Sequence, residues 1–195
     1  MDGKIPELLD VCGKFSECRV VRFRDISPDF EISEDIDAIV LSGSGARIVK
    51  PAERQLFKEN VNLIKQTDLP LFSICYGHQL LCWSLGANVA SHPAEIVRFE
   101  AIKILDFDEL FAGFEKNQTI HLAQHHRDYV TKESLQEANL VLLASSESCE
   151  VEAIKHKNKP FYGVQFHPER IKINDVTHHE GLSIIENFYK NVVKR

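Results

Sequence analysis

A chain of 195 residues is long enough to bury one sizeable core, and its 44% hydrophobic and 27% charged content is typical of a globular protein. The net charge of −6 disfavours a broad nucleic-acid-binding surface, and no apolar run approaches the roughly 18 residues that span a bilayer. Five scattered cysteines, with neither a CxxC pair nor a signal-peptide pattern, favour a reducing, cytoplasmic setting. We therefore expect a single domain over residues 1–195 with no nucleic-acid or membrane partner.

The first part of the chain alternates apolar runs of strand length with segments of helical periodicity. This pattern predicts a helix at residues 6–15, strands at 18–23, 36–41 and 71–75, a helix at 52–66, and a helix that follows Cys75 and ends at Gly86. Strands that alternate with helices favour an α/β fold with a mostly parallel open sheet and helices on both faces.

The second part is richer in strands. It predicts strands at residues 97–105, 118–122, 139–144, 151–155 and 161–166, a helical turn at 108–114 and a final amphipathic helix at 180–193. Residues 1–5 are too few and too polar for the buried strand that usually opens a doubly wound domain. Either the fold lacks that first strand, another segment replaces it, or the beginning is truncated.

Cys75 lies where a predicted buried strand turns into a helix. Free backbone N–H groups and the positive end of the helix dipole favour a thiolate there, and Gly77 permits a sharp turn. The backbone N–H of Tyr76 would then help to stabilise an oxyanion. The alternative interpretation is a core cysteine, because cysteine is among the most buried residue types.

His167 and Glu169 follow the predicted strand at residues 161–166, and residues two apart in an extended segment point to the same side. Glu169 can therefore orient the imidazole of His167 as a base for a thiol. A simple ion pair at a strand end is the alternative. The loop Ser42-Gly43-Ser44-Gly45 also follows a predicted strand, and ligands bind beyond the carboxyl ends of parallel strands.

These stretches resemble the class I, triad-type glutamine amidotransferases, which have a flavodoxin-like sheet. The resemblance is carried by Ile-Cys75-Tyr-Gly77-His-Gln79, by Gly163-Val-Gln-Phe-His167-Pro-Glu169 and by the Ser42-Gly43 loop, and it extends over the chain from about Cys18. It implies a catalytic triad of Cys75, His167 and Glu169. It also implies oxyanion or substrate binding by Gly43, Ser44, Tyr76 and Gln79.

Within that family, His126-Arg-Asp128 and the segment 145–156 are similar to the glutaminase subunit or domain of GMP synthase. This resemblance implies that ammonia from glutamine passes to a separate ATP-dependent synthetase that aminates XMP, with ATP and Mg²⁺ bound by that partner and no cofactor in this chain. His126 and Asp128 would couple the two proteins. The alternative for this pair is a solvated loop with an ordinary charge pair.

Three other functions stay open: an amidotransferase subunit for another acceptor such as chorismate, a free-standing γ-glutamyl hydrolase, and a non-catalytic binding module. The sequence also departs from the family. The family's oxyanion loop usually reads Ser-Gly-Gly-Pro, whereas here Ser44 and Gly45 follow Gly43. Arg170 stands where the family commonly has a small or apolar residue, and residues 172–176 look inserted. His121, His125, His126, His178 and His179 lack the spacing of a zinc site, so we predict no metal.

Overall fold

Seven strands form the central sheet of the computed structural model, which describes residues 5–193. In chain order they are β1 (Ile39–Leu41), β2 (Leu71–Ile74), β3 (Val89–Ile104), β4 (Thr119–Val130), β5 (Leu140–Ser145), β6 (Ala153–His156) and β7 (Phe161–Val164). Their spatial order is β1-β2-β7-β6-β5-β3-β4. The sheet is mixed, because β1, β2 and β7 pair in parallel and the other neighbours pair antiparallel.

The described residues contain five α-helices. They are α1 (Ile5–Cys12), α2 (Pro51–Gln55), α3 (Lys58–Gln66), α4 (Tyr76–Ser84) and α5 (Glu180–Asn187), and a π-helical turn (Phe188–Val192) continues α5. α1 and α5 share one core with Phe72 and Val164, whereas α3 and α4 share a second core with Leu71 and Phe161. Neighbouring residues of one strand thus enter different cores, which confirms the predicted open α/β sheet with helices on both faces.

The parallel strands determine where the site lies. Leu41 pairs with Ser73, and Ile74 pairs with Val164, so β1, β2 and β7 end at the same edge of the sheet. The segments that leave this edge are the glycine loop, the turn at Cys75 and the segment that leads to His167. Residues far apart in sequence therefore meet at one edge.

The prediction of a strand at residues 18–23 is wrong. Arg22 has an extended backbone, but a 3₁₀ turn (Phe23–Asp25) follows, and the side chains of Val20 and Val21 are 55% and 48% exposed. An alternating pattern makes a strand only where a neighbour accepts its hydrogen bonds. Within residues 5–193, β1 pairs only with β2, so no such neighbour is supplied.

Other boundaries differ for local reasons. The predicted helix at 52–66 is divided into α2 and α3 at Leu56 and Phe57, where Phe57 has φ −107° and ψ 17°. β3 and β4 are much longer than predicted, because their antiparallel pairing continues beyond the apolar segments: the added part of β3 is partly or fully exposed, and the added part of β4 buries polar side chains such as His126 and Asp128. The apparent insertion at 172–176 forms a short hairpin, β8 (Lys172–Ile173) and β9 (Val176–Thr177). None of the described helices combines the length and apolar character that crossing a bilayer requires.

Candidate active site

Cys75 occupies the turn between β2 and α4. Its φ of 51° and ψ of −106° place a non-glycine residue in a rarely populated backbone region. The turn is held from both sides, since the N–H of Cys75 donates to the carbonyl of Val164 at 2.8 Å and Gly77 approaches the carbonyl of Leu41. Cys75 is only 5% exposed, and its thiol donates to the carbonyl of His125 at 3.5 Å. A strained strand-to-helix turn of this kind presents a nucleophile at the edge of a sheet.

His167 and Glu169 form a buried pair beside this turn. Nδ1 of His167 lies 2.7 Å from Oε1 of Glu169, and the two residues are 2% and 6% exposed. The backbone of His167 is fixed as well, because its N–H donates to the carbonyl of Ala123 at 2.8 Å. A carboxylate on Nδ1 fixes the ring orientation and leaves Nε2 for chemistry.

Gly43 shows how closely the three segments converge. A Cβ built on this glycine would lie 2.9 Å from Cε1 of His167, 3.7 Å from Nε2 of the same ring and 3.7 Å from Cβ of Cys75. The glycine loop, the thiol and the imidazole therefore surround one small space. The structure thus brings together Cys75, His167, Glu169 and Gly43, the residues that the sequence predicts for the triad and its oxyanion loop.

The imidazole of His167 is electrostatically unusual. Burial alone lowers its pKa, but negative charge on the nearby Cys75 and the hydrogen bond to Glu169 outweigh burial and raise the pKa to about 9. A proton on His167 is therefore retained at neutral pH when the sulfur is ionised. This is the charge arrangement of a thiolate–imidazolium pair, in which the sulfur is nucleophilic and the imidazolium can donate a proton.

The glycine loop is held in place by its own residues and by β4. The Ser44 hydroxyl accepts a hydrogen bond from the N–H of Ala46 at 3.1 Å, which closes a tight turn. Arg47 then donates through Nη2 and Nε to one carboxylate oxygen of Asp128, at 2.7 and 3.2 Å. The unusual Ser-Gly-Ser-Gly sequence therefore still forms an ordered loop over the site.

Comparison with known families adds the observation that decides the family. Residues 7–192 match the family Glutamine amidotransferase class-I. The chain belongs to this family. The resemblance predicted from the motifs, and with it the enzyme class of glutamine amidotransferase, is confirmed.

Individual relatives of this class I glutamine amidotransferase come from archaea and bacteria. The chain is 36% identical over 160 residues to a subunit of the glutamine-hydrolyzing GMP synthase of Methanothermobacter thermautotrophicus, and the match covers 81% of this chain and 76% of that protein. It is 34% identical over 172 residues to the glutamine-hydrolyzing GMP synthase of Caldanaerobacter subterraneus, covering 88% of this chain and 30% of that protein.

Solved structures agree on the fold. A Thermoplasma acidophilum protein assigned as one of the subunits of a GMP synthase superposes with a TM-score of 0.77 at 23% identity, covering 94% of this chain and 85% of that chain. A glutamine amidotransferase from Thermotoga maritima gives a TM-score of 0.69 at 19% identity, covering 85% and 70%. The fold of the amidotransferase is thus shared with both.

Gln79, predicted to line a glutamine pocket, lies inside the amidotransferase. It is 3% exposed, and its side-chain nitrogen donates to the carbonyl of Asp128 at 2.6 Å and to Oε1 of Gln165 at 3.2 Å. The nitrogen is therefore used in joining α4 to β4. Any contact of this side chain with substrate falls to its oxygen.

Tyr76 begins α4, so its N–H has no acceptor within the helix and remains a candidate oxyanion donor. The ring of Tyr76 is buried against Phe57, with ring centroids 4.7 Å apart. The Tyr76 ring therefore belongs to the core, and its backbone N–H is the group predicted to serve the reaction.

His126 and Asp128 do not form a solvated loop, so that alternative interpretation is wrong. Both are 4% exposed and both belong to β4. Burial lowers the pKa of His126 to about 4, so the ring is neutral at pH 7. Asp128 is the partner of Arg47 described above. Asp128 thus links β4 to the segment after the glycine loop, and the role of His126 and Asp128 in coupling to another protein stays a prediction.

Sequence reasoning missed several residues of the amidotransferase site. Arg47 was missed because no pattern links it to Asp128, although it lies just after the glycine loop. At the rim, Nη1 of Arg170 lies 3.2 Å from Nδ1 of His125, whose Nε2 lies 3.0 Å from Oε1 of Glu95. The family departure at Arg170 therefore builds a polar rim beside His167, whose ring centroid is 6.3 Å from that of His125.

Proposed function

We propose that this chain hydrolyses glutamine to glutamate and ammonia and that it serves as the glutaminase subunit of a GMP synthase. The observation that supports the reaction is the convergence of the Cys75 thiol, the His167–Glu169 pair and Gly43 around one space. A nucleophile, a base with its orienting carboxylate and a backbone donor are the parts that acyl transfer needs. The family match supplies the amide substrate.

In the first half of the reaction, the Cys75 thiolate attacks the side-chain amide carbon of glutamine and forms an S–C bond. Backbone N–H groups of the 43–44 loop and of Tyr76 stabilise the oxyanion. His167 donates its proton to the amide nitrogen, the C–N bond breaks and ammonia leaves. The product on the enzyme is a γ-glutamyl thioester.

In the second half, neutral His167 removes a proton from water, and the resulting hydroxide attacks the thioester carbon. The C–S bond breaks, glutamate leaves, and the proton on His167 restores the starting charge pair. Glu169 stabilises the imidazolium at each stage without itself taking the proton. A His167 pKa of about 9 in the presence of ionised Cys75 keeps this proton available at neutral pH.

The proposed acceptor of the ammonia is inferred from the names of the relatives. Several are named as one subunit of a glutamine-hydrolyzing GMP synthase, which indicates a second subunit in those organisms. The Caldanaerobacter GMP synthase is much longer, and this chain matches only 30% of it. We therefore propose that a separate synthetase binds ATP, Mg²⁺ and XMP and uses the ammonia to form GMP.

The reaction is tested by measuring glutamate release from glutamine by the wild type, Cys75→Ala and Cys18→Ala. Cys75→Ala is expected to lose at least about 1000-fold in turnover, because the thioester can no longer form. Cys18→Ala is the matched control, since Cys18 is an exposed cysteine outside the site, and it is expected to keep wild-type turnover. Wild-type turnover in Cys75→Ala would refute the mechanism.

The acceptor is tested separately by adding the synthetase subunit of a GMP synthase with ATP and XMP. The expected result is GMP formation and an increase in glutaminase turnover. Glutaminase activity without either effect would overturn the GMP assignment and direct the search to another acceptor, such as chorismate, or to a free-standing hydrolase. A chain that forms no adduct at Cys75 with an electrophilic glutamine analogue, and releases no glutamate, would be a binding module.

A further inference from the structure

A group of metal-ligating side chains lies apart from the proposed reaction. His121 lies on β4, His178 follows β9, and Glu180 is the first residue of α5. One nitrogen of each histidine and one carboxylate oxygen of Glu180 all lie within 4.8 Å of one another. No short metal-binding motif marks these residues, because His121 is more than 50 positions before the other two.

Two of the three ligand atoms already lie at the spacing expected around a bound divalent ion. Zinc binds histidine nitrogen and carboxylate oxygen at about 2.0–2.2 Å, so two ligand atoms in a tetrahedral site lie roughly 3.4 Å apart. Nδ1 of His178 and Oε1 of Glu180 are 3.5 Å apart. His121 is exposed, so its side chain has room to reorient toward the other two ligands.

The surrounding residues hold the ligands near one another. The rings of His121 and His178 stack with centroids 4.9 Å apart and an interplanar angle of 20°. Phe99 of β3 meets the His178 ring edge-on at a centroid distance of 4.8 Å, which restrains its orientation. Arg98, Phe99 and Glu100 line a surface depression that opens beside His121 and provides an entry path.

The donor set of the group suits a cation. It combines a carboxylate oxygen with two imidazole nitrogens, and imidazole is a common ligand of divalent transition metals.

We propose that His121, His178 and Glu180 form a binding site for Zn²⁺ or a similar divalent transition-metal ion, with a fourth position open to water. The nitrogen-rich donor set disfavours Mg²⁺ and Ca²⁺, which prefer oxygen ligands. The ion would join three segments: β4, the chain after the β8–β9 hairpin and the beginning of α5. The proposal does not depend on glutaminase activity.

The site also lies one residue away from a close contact with the catalytic segment. A Cβ on Gly181, the neighbour of Glu180, would lie 2.4 Å from the carbonyl oxygen of Pro168, which stands between His167 and Glu169. An ion on Glu180 would therefore fix the end of α5 that packs on the triad backbone. Its role is structural, because none of its ligands belongs to the triad.

The test is Zn²⁺ titration against a chromophoric chelator, together with Co²⁺ absorption spectra. All proteins carry Cys18→Ser and Cys75→Ala, which remove the exposed thiol and the reactive thiol as competing ligands. We compare this parent with His178→Asn, Glu180→Gln, His121→Gln and the control His179→Asn. His179 is the exposed neighbour of His178 and is outside the ligand group.

The expected result is one equivalent of Zn²⁺ per chain, with affinity reduced at least about 10-fold in each ligand variant and unchanged in His179→Asn. A 100-fold excess of Zn²⁺ over its dissociation constant should raise the melting temperature of the parent by roughly 5 to 10 °C. Equal binding by the parent and the ligand variants, a cobalt spectrum with thiolate charge transfer, or no binding at micromolar concentrations would overturn the site. Melting temperatures in EDTA identify any ligand variant that folds poorly. In that case the test of the site rests on His121→Gln, because His121 is exposed and its substitution should leave the fold intact.

Discussion

Arg47 and Asp128 lie 81 positions apart in sequence, yet Nη2 and Nε of the guanidinium lie 2.7 and 3.2 Å from one oxygen of the buried carboxylate. Asp128 is on β4, and Arg47 lies just after the glycine loop that covers Cys75 and His167. A charge-assisted contact of this kind is stronger than a neutral hydrogen bond. The ion pair therefore positions the loop without touching the reacting atoms.

The first prediction concerns this ion pair. Asp128→Asn keeps an oxygen acceptor but removes the charge, so we expect the loop to loosen and glutaminase kcat to fall about 10-fold with a smaller change in KM. Asp106→Asn is the matched control, because Asp106 forms an exposed pair with Lys116 and is expected to leave both constants unchanged. Steady-state kinetics check the result, and equal kcat values for the wild type and Asp128→Asn would remove Arg47 and Asp128 from the positioning of the loop.

The second prediction concerns Glu169. Glu169→Gln removes the carboxylate that stabilises the His167 imidazolium, so we expect glutaminase kcat to fall by about 100-fold or more while KM changes little. The same change should lower the pKa of His167 from about 9, because the carboxylate helps to raise it. Glu186→Gln, which alters a partly exposed carboxylate paired with Lys190 outside the site, is the control. An unchanged kcat in Glu169→Gln would exclude Glu169 from the triad.

The third prediction separates stability from activity at two glycines. A Cβ on Gly77 would lie 2.5 Å from the carbonyl oxygen of Leu41, a backbone atom that cannot move without distorting β1. Gly77→Ala should therefore lower the free energy of unfolding by about 1–3 kcal/mol. In Gly43→Ala the new methyl group meets the His167 ring instead of backbone, so we expect loss of glutaminase activity with a smaller loss of stability than in Gly77→Ala.

Urea unfolding and glutaminase assays on both glycine variants check this contrast. The opposite pattern, with Gly77→Ala as stable as the wild type or Gly43→Ala fully active, would contradict the close approaches described for these two turns.

The fourth prediction concerns pH. Burial raises the pKa of Glu152 to about 8, even though hydrogen bonds to Ser146 and Gln124 oppose the shift. Because the folded pKa lies above the unfolded value, the resulting stabilisation is fully present below about pH 4.5 and is lost as the pH rises through 8. Glu152→Gln mimics the neutral acid at every pH. The free energy of unfolding of Glu152→Gln minus that of the wild type should therefore grow from pH 5 to pH 8. Linkage predicts a growth on the order of a few kcal/mol.

Chemical denaturation at several pH values measures this difference. Glu150→Gln is the control, because Glu150 is exposed and should show no pH-dependent difference. A constant difference between Glu152→Gln and the wild type from pH 5 to pH 8 would show that Glu152 is ionised in the folded protein.

The sequence predicts the elements at the catalytic edge well, because there the physical requirements are local. A short apolar run followed by Cys75 and Gly77 is compatible with few local structures other than a buried strand and a sharp turn into a helix. His167 and Glu169 are only two residues apart, so their pairing needs little knowledge of the remaining fold. The juxtaposition of Cys75 with His167 follows once the strands before them are parallel neighbours.

Predictions fail where the outcome depends on distant partners. The alternating residues 18–23 have a strand pattern, but the described sheet offers them no neighbour, so they remain unpaired. The added parts of β3 and β4 pair through backbone hydrogen bonds, with exposed residues on β3 and buried polar residues on β4, so no apolar alternation marks them in the sequence. Arg47 and the group of His121, His178 and Glu180 depend on contacts across the fold, which periodicity along the chain cannot encode.

β4 contacts each part of the proposed catalytic site. Its backbone carbonyls accept from the N–H of His167, the thiol of Cys75 and the amide of Gln79, and it also carries Asp128, which binds Arg47. Nucleophile, base and loop are thus all aligned to one strand, and an error of about 1 Å in such alignment can cost about 100-fold in rate. In the proposed reaction, a displacement of β4 would therefore disturb all of these groups at once.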